Sequence, residues 1–289
     1  MSKRIGHFRN AIGVAAHEVA QNDCSLSNVP FNATMRMFSY NILDGGEGRA
    51  DPLAEVIQAQ RADIVCIVEA DKIEVIERIA HRLKMDCIHA PGRKSAAALL
   101  SRWAISKSIN HALLRSDGPE KSFLEAEVIE PGGRIWTIGV VHLHAHARER
   151  DERKREQELT GVLDVFARHR SANRPHVLAG DFNANSPDQE IDPAKVYPTT
   201  RDEWHANGGQ IPRRVVQRIL DAAYVDTFAA FDPGAAKTTG TFTTQFPGQR
   251  VDYAFAFGFD KASIKDGWIE QDRLAKYASD HFPIGVEIV

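Results

Sequence analysis

Acidic, amide and imidazole side chains stand at the C-terminal ends of several apolar runs in this sequence. Asn41 ends the run MRMFSYN, Glu69 ends ADIVCIVE, and Asp181 follows PHVLAG. Further residues of these types occur in VVHLH, GDFN, RVDY and SDHFP, namely His142, Asn183, Asp252, Asp280 and His281. Each residue alone also fits a helix cap or a loop hydrogen bond. As a set they fit one cleft, because a sheet directs the side chains at its strand ends into a shared site.

The elements that would position these residues alternate between strands and helices. Residues 35–41 alternate like a strand, residues 52–60 fit a helix capped by Asp51, and residues 62–69 form the apolar run of a buried strand. A strand, a helix and a strand in this order predict an α/β domain.

The rest of the chain is richer in strands. They are predicted over residues 96–101, 122–129, 134–142, 175–181, 250–257 and 284–289, with a hairpin turn at EPGG. Helices are predicted over residues 147–170 and 212–221, the second inside a loop-rich stretch that covers residues 186–241. The charged run RERDERKREQE in the first of these helices indicates a solvated face.

Residues 1–33 lie outside this pattern. They carry a weak helical pattern around residues 12–19 and then a polar loop, so we interpret them as an N-terminal extension. No repeat, low-complexity block or linker divides the remainder, which predicts a single domain over residues 34–289.

Composition limits the classes of function. The 289 residues include 36 basic and 39 acidic side chains, a formal net charge of −3 that argues against a dedicated nucleic-acid coat. Neither a secretory signal nor a membrane span is found near the N-terminus. Three cysteines without CxxC spacing, Cys24, Cys66 and Cys87, fit reduced thiols. We therefore expect a cytoplasmic protein without membrane insertion, and no protein partner is evident.

The order of these motifs resembles the endonuclease/exonuclease/phosphatase superfamily, whose fold is that of DNase I. The motifs GDFN at 180–183 and SDHFP at 279–283 follow a strand-end Asn and Glu, and the segments AAALLSR and RVDYAF are also similar to family segments. The resemblance covers residues 35–289. It implies an α/β four-layer DNase I-like sandwich, in which two packed mixed β-sheets are flanked by helices, and metal-dependent hydrolysis of phosphoester bonds.

The resemblance also implies catalytic roles. Asp252 would orient and charge the imidazole of His281, which acts on the scissile phosphate as a base or as a charged stabiliser. Asp181 would activate or orient the attacking water, and Asn183 would donate to a phosphate oxygen. His142 would lie on the opposite side of the phosphate, as a donor or as the general acid for the leaving group.

A metal ion fits the same set. Asn41, Glu69 and Asp280 offer hard oxygen ligands, which suit Mg²⁺ or Mn²⁺ better than the metals that thiolates favour. Glu69 is the first candidate ligand. An ion at this point would polarise a phosphoryl oxygen and neutralise charge in the transition state.

Other residues could contact the substrate. His144 and Arg250 are candidate substrate-binding residues. In an extended strand His142, His144 and His146 share one face, which allows a second, transition-metal site, or two histidines at the cleft rim. Trp204 either lies near the substrate or packs in the core.

Basic side chains could also hold a polyanion. They are Arg213, Arg214 and Arg218 and the arginines of residues 148–155, for which a solvated face is the alternative interpretation.

The substrate remains open at this point, because members of the superfamily hydrolyse many esters. The leading hypothesis is a phosphodiesterase or nuclease-like enzyme, with nucleic acid as one candidate substrate. The alternative is a phosphatase or phosphodiesterase for a small molecule or a lipid head group, as in sphingomyelinases. A catalytically inactive binding protein of the same fold is the third hypothesis.

Overall fold

The computed structural model describes residues 9–10 and 34–289. Within them the strands are β1 Arg9–Asn10, β2 Met35–Asn41, β3 Ile64–Val68, β4 Asp86–Ala90, β5 Ala97–Ser101, β6 Ala104–Asn110, β7 Ser122–Ile129, β8 Ile135–His142, β9 His176–Asp181, β10 Val225–Asp226, β11 Asp252–Phe257, β12 Ile264–Ile269 and β13 Ile284–Ile288. One sheet has the order β1-β4-β5-β3-β2-β13-β12, and the other has the order β10-β11-β9-β8-β7-β6. Both sheets are mixed, since β2 and β3 are parallel, as are β8 and β9, among antiparallel neighbours.

The helices of the described residues are α1 Ala50–Ala59, α2 Ile73–Leu83, α3 His111–Leu114, α4 Glu149–Ser171, α5 Pro198–Ala206, α6 Arg214–Asp221, α7 Thr227–Phe231, α8 Pro233–Thr238 and α9 Arg273–Ala278. Apolar residues of α1, α2 and α9 pack on the outer face of the first sheet. Apolar residues of α4 and α6 pack on the outer face of the second sheet.

Strand alternation builds the four layers. In β2, Phe38 and Tyr40 face the α1 and α2 side, whereas Met35 and Met37 face the second sheet. The buried cluster between the sheets also contains residues of β7, β8 and β9, such as Val140. Because side chains of a strand alternate between its two faces, one apolar strand supplies two cores. The predicted four-layer DNase I-like sandwich is confirmed.

The predicted strands occur with bounds that differ by at most two residues at either end, and the EPGG turn joins β7 to β8. Two helix predictions were wrong in detail. Asp51 does not cap α1, which begins at Ala50; its carboxylate pairs with Arg78 and Arg82 of α2. The charged front half of α4 is not a fully solvated face, because Asp151, Glu152, Arg155 and Glu158 are buried there.

The stretch of residues 186–241 contains more regular structure than predicted. It carries α5, α6, α7 and α8, of which α6 alone matches a predicted helix. The sequence of α5, PTTRDEWHA, is mostly polar, and only Thr200 and Trp204 are buried in it, so its helical periodicity is weak.

At the N-terminal side, Arg9–Asn10 pairs in parallel with β4 at the edge of the first sheet. The predicted helical pattern of residues 12–19 lies outside the described residues, and the interpretation of residues 1–33 as an extension stays a prediction. Across residues 34–289 no helix combines the length and the apolar character needed to cross a membrane. Cys66 and Cys87 are buried free thiols.

Candidate active site

Strand pairing brings the candidate residues to one end of the sandwich. The parallel register aligns Asn41 with Val68 in the first sheet, and His142 with Asp181 in the second. The antiparallel strand β11 starts at Asp252, directly opposite Asp181. β13 runs antiparallel to β2, so the loop that precedes β13 lies at the end where β2 finishes. Carboxyl ends of four strands and amino ends of two therefore meet at one site. The prediction of C-terminal strand ends was wrong for Asp252, Asp280 and His281, which stand at the start of β11 and before β13.

Asn41 lies at the centre of this site. Its Nδ2 atom lies 3.1 Å from Oε1 of Glu69, 3.1 Å from Oδ2 of Asp181 and 3.4 Å from Nε2 of His281. Its Oδ1 atom accepts a hydrogen bond from the backbone N–H of Leu43 at 3.1 Å, which fixes the amide orientation. One buried amide thus links residues of both sheets.

Asp252 and His281 form a hydrogen-bonded pair. The Nδ1 atom of His281 lies 2.8 Å from Oδ2 of Asp252, and both side chains are almost fully buried. Burial opposes the charged imidazole, but the charge and hydrogen bond of Asp252 outweigh it and raise the pKa of His281 to about 10. The pair is therefore an imidazolium and a carboxylate at neutral pH.

Asp181 faces the same centre from the second sheet. Its Oδ2 atom lies 3.4 Å from Nε2 of His142 and 3.9 Å from Nε2 of His281. Burial alone would raise the pKa of Asp181, but the contact with His142 and the charges on His281 and Lys121 lower it below its ordinary value. The carboxylate is therefore ionised under neutral conditions.

The GDFN segment holds Asp181 through its backbone. The N–H of Asn183 donates to Oδ1 of Asp181 at 2.8 Å, and Nδ2 of Asn183 donates to the carbonyl of Leu143 at 3.1 Å. Gly180 has φ of 141°, and a Cβ added there would lie 2.0 Å from the carbonyl oxygen of Val141. Glycine is required at this point because β9 approaches β8 too closely for any side chain.

Backbone strain marks two site residues. Glu69 has φ of 55° and Asn183 has φ of 50°, in the left-handed region that non-glycine residues seldom adopt. Such conformations persist where the surroundings impose them, often at functional sites. At Glu69 the surroundings include the N–H of Asp44, which donates to Oε2 at 2.9 Å.

The donor set fits a divalent metal ion on the side of Glu69 and Asp280. The Oδ1 atom of Asp280 is buried and finds no hydrogen-bond partner among the described residues. Burial and the nearby charge on Glu69 raise the pKa of Asp280, which a bound cation would reverse. Asp181, Asp252 and His281 also group their ligand atoms within 4.8 Å of one another. We favour the Glu69 side, because Asp252 and His281 are already bonded to each other.

His142 is present but completely buried, with an exposed fraction of 0%. Its Nε2 atom lies 2.7 Å from Nζ of Lys121, a half-buried residue just before β7. Sequence reasoning missed Lys121, since no motif or spacing marks it. Its position follows from the pairing of Ser122 with His142 across β7 and β8.

The two rim histidines do not join the central set. His144 Nε2 lies 3.1 Å from Oδ1 of Asp151, and His146 Nδ1 lies 3.3 Å from Oε1 of Glu203. Each has a carboxylate of its own, which the sequence did not reveal. The rim interpretation is the better fit, because a cluster of three metal-binding side chains occurs in residues 34–289 only at Asp181, Asp252 and His281.

Arg250 is buried, which argues against the sequence-based expectation that it binds substrate. It is 1% exposed, and its Nη2 atom lies 2.7 Å from Oδ2 of Asp226. The guanidinium carbon also lies 4.5 Å from the ring centroid of Tyr253. Arg250 is therefore part of the core.

The predicted basic edge is likewise already engaged. Arg214 pairs with Glu149 and Glu156, Arg218 donates to the carbonyl of Glu156, and Arg213 donates to the carbonyl of Ser186. These arginines join α6 to α4 and to the loop after β9, so they offer little free charge to a polyanion.

Aromatic rings lie beside His281. The Phe242 ring is centred 4.7 Å from the His281 ring, and Tyr197 is centred 6.2 Å from both Phe242 and Phe246. Tyr197 is 40% exposed, whereas Trp204, on the same helical segment, is 2% exposed. Of the two interpretations of Trp204, its burial favours packing in the core.

Comparison with known proteins identifies solved structures that have a similar fold. A search of curated proteins finds no significant match. Among solved structures, the 3′ phosphatase NExo from Neisseria, bound to product DNA hairpin, has 20% identity and a TM-score of 0.67, over 88% of this chain and 99% of that chain. An AP endonuclease from Archaeoglobus fulgidus has 16% identity and a TM-score of 0.62, over 87% and 98%. Humanized TDP2 from D. rerio has 15% identity and a TM-score of 0.61, over 89% and 99%.

The sequence profile of the Endonuclease/Exonuclease/phosphatase family matches residues 38–281. That range begins within β2 and ends at His281, so it includes every strand end that contributes to the site. The chain therefore belongs to the Endonuclease/Exonuclease/phosphatase family, whose members hydrolyse phosphoester bonds.

Proposed function

We propose that the protein is a divalent-metal-dependent phosphodiesterase that uses Mg²⁺ or Mn²⁺ and a water nucleophile. The observation that carries this proposal is an ionised carboxylate and an imidazolium that both face Asn41, with an unpartnered buried carboxylate oxygen on the residue just before the imidazolium. The three groups belong to Asp181, His281 and Asp280. Between them they can orient a water, stabilise a phosphate and retain a cation.

Glu69 and Asp280 would hold the cation, and Asn41 would join them as a ligand only if its amide turned over, because Nδ2 faces Glu69 and Oδ1 accepts from the N–H of Leu43. When bound, it would supply Lewis-acid polarisation of a phosphoryl oxygen and offset the negative charge of the substrate. The buried Oδ1 atom of Asp280 supports this assignment, since a buried carboxylate oxygen without a partner is costly.

Asp181 would orient the attacking water and accept its proton while the water oxygen bonds to phosphorus. The bond from phosphorus to the leaving oxygen then breaks, and that oxygen takes a proton from solvent water. His281 would act as a charged stabiliser rather than as a base, since Asp252 keeps its imidazole protonated at neutral pH. Asn183 would donate to a phosphate oxygen after leaving its present partner, the carbonyl of Leu143.

The aromatic rings favour a substrate with a nucleobase. Tyr197, Phe242 and Phe246 are partly exposed rings, of which Phe242 lies against His281 and Tyr197 lies beside both phenylalanines, on the side where the group attached to the scissile phosphate would lie. Planar bases stack on aromatic side chains with about 1–3 kcal/mol per base. The DNA hairpin bound to NExo agrees with this choice. A cytoplasmic location remains part of the proposal.

A substrate panel tests the proposal. The purified chain is incubated with Mg²⁺, Mn²⁺ or EDTA and with single- and double-stranded DNA, RNA, nucleoside monophosphates and choline-phosphate lipids. We expect metal-dependent cleavage of an oligonucleotide and none in EDTA. Turnover of lipids or monophosphates alone would support the small-substrate alternative. No turnover on any ester, with a folded protein, would favour the inactive binding protein.

A further inference from the structure

Lys121 separates His142 from the cleft. His142 is fully buried, while Lys121 is partly exposed and holds its Nζ atom 2.7 Å from Nε2 of the imidazole. The other ring nitrogen, Nδ1, finds no hydrogen-bond partner in residues 34–289. A substrate that approaches on this side therefore meets the ammonium group before the imidazole.

Donor chemistry fixes the direction of this hydrogen bond. An ammonium group has three donors and no acceptor, so Lys121 donates and Nε2 of His142 accepts. The proton of the neutral imidazole then stands on Nδ1, away from the cleft. In this arrangement Nε2 is not free to donate a proton to a leaving group.

The segment before β7 holds Lys121 in place. The N–H of Glu120 donates to Oε1 of Glu158 at 3.2 Å, and the carbonyl of Glu120 accepts from the N–H of Lys94 at 3.0 Å. The Glu120 carboxylate pairs with Lys94 at 2.7 Å and Lys154 at 2.6 Å. The negative charge of Glu120 is thus already neutralised by these two lysines. Lys121 uses one ammonium proton on His142 and keeps two for another acceptor.

We infer that Lys121 is the residue that contacts the substrate phosphate on this side of the site, and that His142 is a positioning residue that holds the ammonium group. The inference rests on the proposed phosphodiesterase function. It reassigns the contact that the family resemblance gives to His142. The ammonium group offers charge-assisted hydrogen bonds to phosphate oxygens.

Four variants test the two roles: Lys121→Met, Lys121→Arg, His142→Gln and His142→Phe. The probes are orthophosphate binding by calorimetry with Mn²⁺ present and turnover of bis(p-nitrophenyl) phosphate. We expect Lys121→Met to weaken phosphate binding roughly tenfold or more and to lower kcat/KM at least as much. Lys121→Arg, which keeps the charge, should retain most of both. His142→Gln keeps a hydrogen-bond acceptor for the ammonium group. It should therefore bind phosphate more tightly and have a higher kcat/KM than His142→Phe.

Lys107→Met is the matched control, because Lys107 is an exposed lysine on β6 that pairs with Glu127. It should leave binding and turnover unchanged. A further variant, Lys121→Ala, serves for chemical rescue. Added ethylamine should restore part of its activity, an effect that a purely structural lysine would not give. Thermal unfolding checks that each variant is folded.

The inference is overturned if Lys121→Met keeps wild-type phosphate affinity and turnover while His142→Gln loses both. Phosphate binding through Lys121 without any turnover of esters would leave the inference standing and would reject the proposed phosphodiesterase. A wild-type protein that does not bind phosphate would reject both.

Discussion

The Nδ1 atom of His281 lies 2.8 Å from Oδ2 of Asp252, with both groups shielded from solvent. This contact raises the pKa of His281 to about 10 against the opposing effect of burial. The substitution Asp252→Asn removes the negative charge and keeps the size of the side chain. His281 should then titrate well below pH 10, because burial would act without compensation. Turnover at pH 8 should fall roughly 10²–10⁴-fold.

Nuclear magnetic resonance of the His281 ring checks the charge directly. The wild-type ring should stay protonated at pH 8, and the Asp252→Asn ring should be neutral there. Asp260→Asn, at an exposed aspartate after the same strand, is the control. An unchanged His281 titration in Asp252→Asn would show that Asp252 does not set the charge.

The second prediction concerns Glu69. Its Oε1 atom accepts a hydrogen bond from Asn41 and its Oε2 atom accepts one from the N–H of Asp44, so the carboxylate is held in one orientation. Glu69→Gln should weaken Mn²⁺ binding by roughly tenfold or more in calorimetry, because one negative hard ligand is lost. Glu77→Gln, at an exposed position of α2, should bind as wild type. Equal affinities in all three proteins would place the ion elsewhere.

Some strand ends were predictable because their apolar runs carry the polar residue at the carboxyl end, and β-sheet pairing brings these ends together. Asn41, Glu69 and Asp181 illustrate this, since all three lie within one network. Lys121 was not predictable. Its role depends on which strand lies beside β8, and no local pattern distinguishes it from a surface lysine.

Long-range partners explain the remaining errors. Arg250 stands two residues before Asp252 in sequence and suggested a substrate contact, but its partner Asp226 belongs to β10, which pairs with β11. The charged run of α4 suggested a solvated face, but Glu152 accepts from the N–H of Val215 and from Arg155 inside the fold. In both cases the burial of a charged side chain depends on a tertiary contact, which composition does not predict.

A third prediction addresses the aromatic rings. Tyr197→Ala and Phe246→Ala should each lower kcat/KM about tenfold on the p-nitrophenyl ester of thymidine 5′-monophosphate, because a base loses its stacking surface. On methyl p-nitrophenyl phosphate, which has the same leaving group and no base, both variants should match wild type. Phe231→Ala, at an exposed ring on α7, is the control. Equal losses on both esters would exclude base recognition by these rings.

A fourth prediction uses the buried carboxylate of Glu125. It accepts from His111 at 2.8 Å and His169 at 3.0 Å and pairs with Arg168. Burial alone would raise its pKa, but these partners lower the pKa of Glu125 from 4.5 to about 2. The folded-state pKa is the lower one, so the stabilisation is complete above pH 4.5 and is lost as the pH falls towards 2.

Urea unfolding at several pH values measures this effect. The free energy of unfolding of wild type minus that of Glu125→Gln should fall by on the order of 3 kcal/mol between pH 5 and pH 2. Glu127→Gln, two residues along β7 and paired with Lys107, should show little pH-dependent difference. A constant difference for Glu125→Gln would mean that the network does not lower this pKa.

The last prediction tests whether Arg250 stabilises the core or binds substrate. Arg250→Met removes a buried cation and leaves the Asp226 carboxylate unpaired, which should cost about 3–5 kcal/mol in unfolding by urea. Adding Asp226→Leu should recover part of that loss, since the unpaired charge disappears. Because Arg250 does not face the cleft, KM of the folded variant should match wild type, as should KM of the surface control Arg273→Met. A raised KM with unchanged stability would return Arg250 to the substrate-binding role that its place in the sequence suggested.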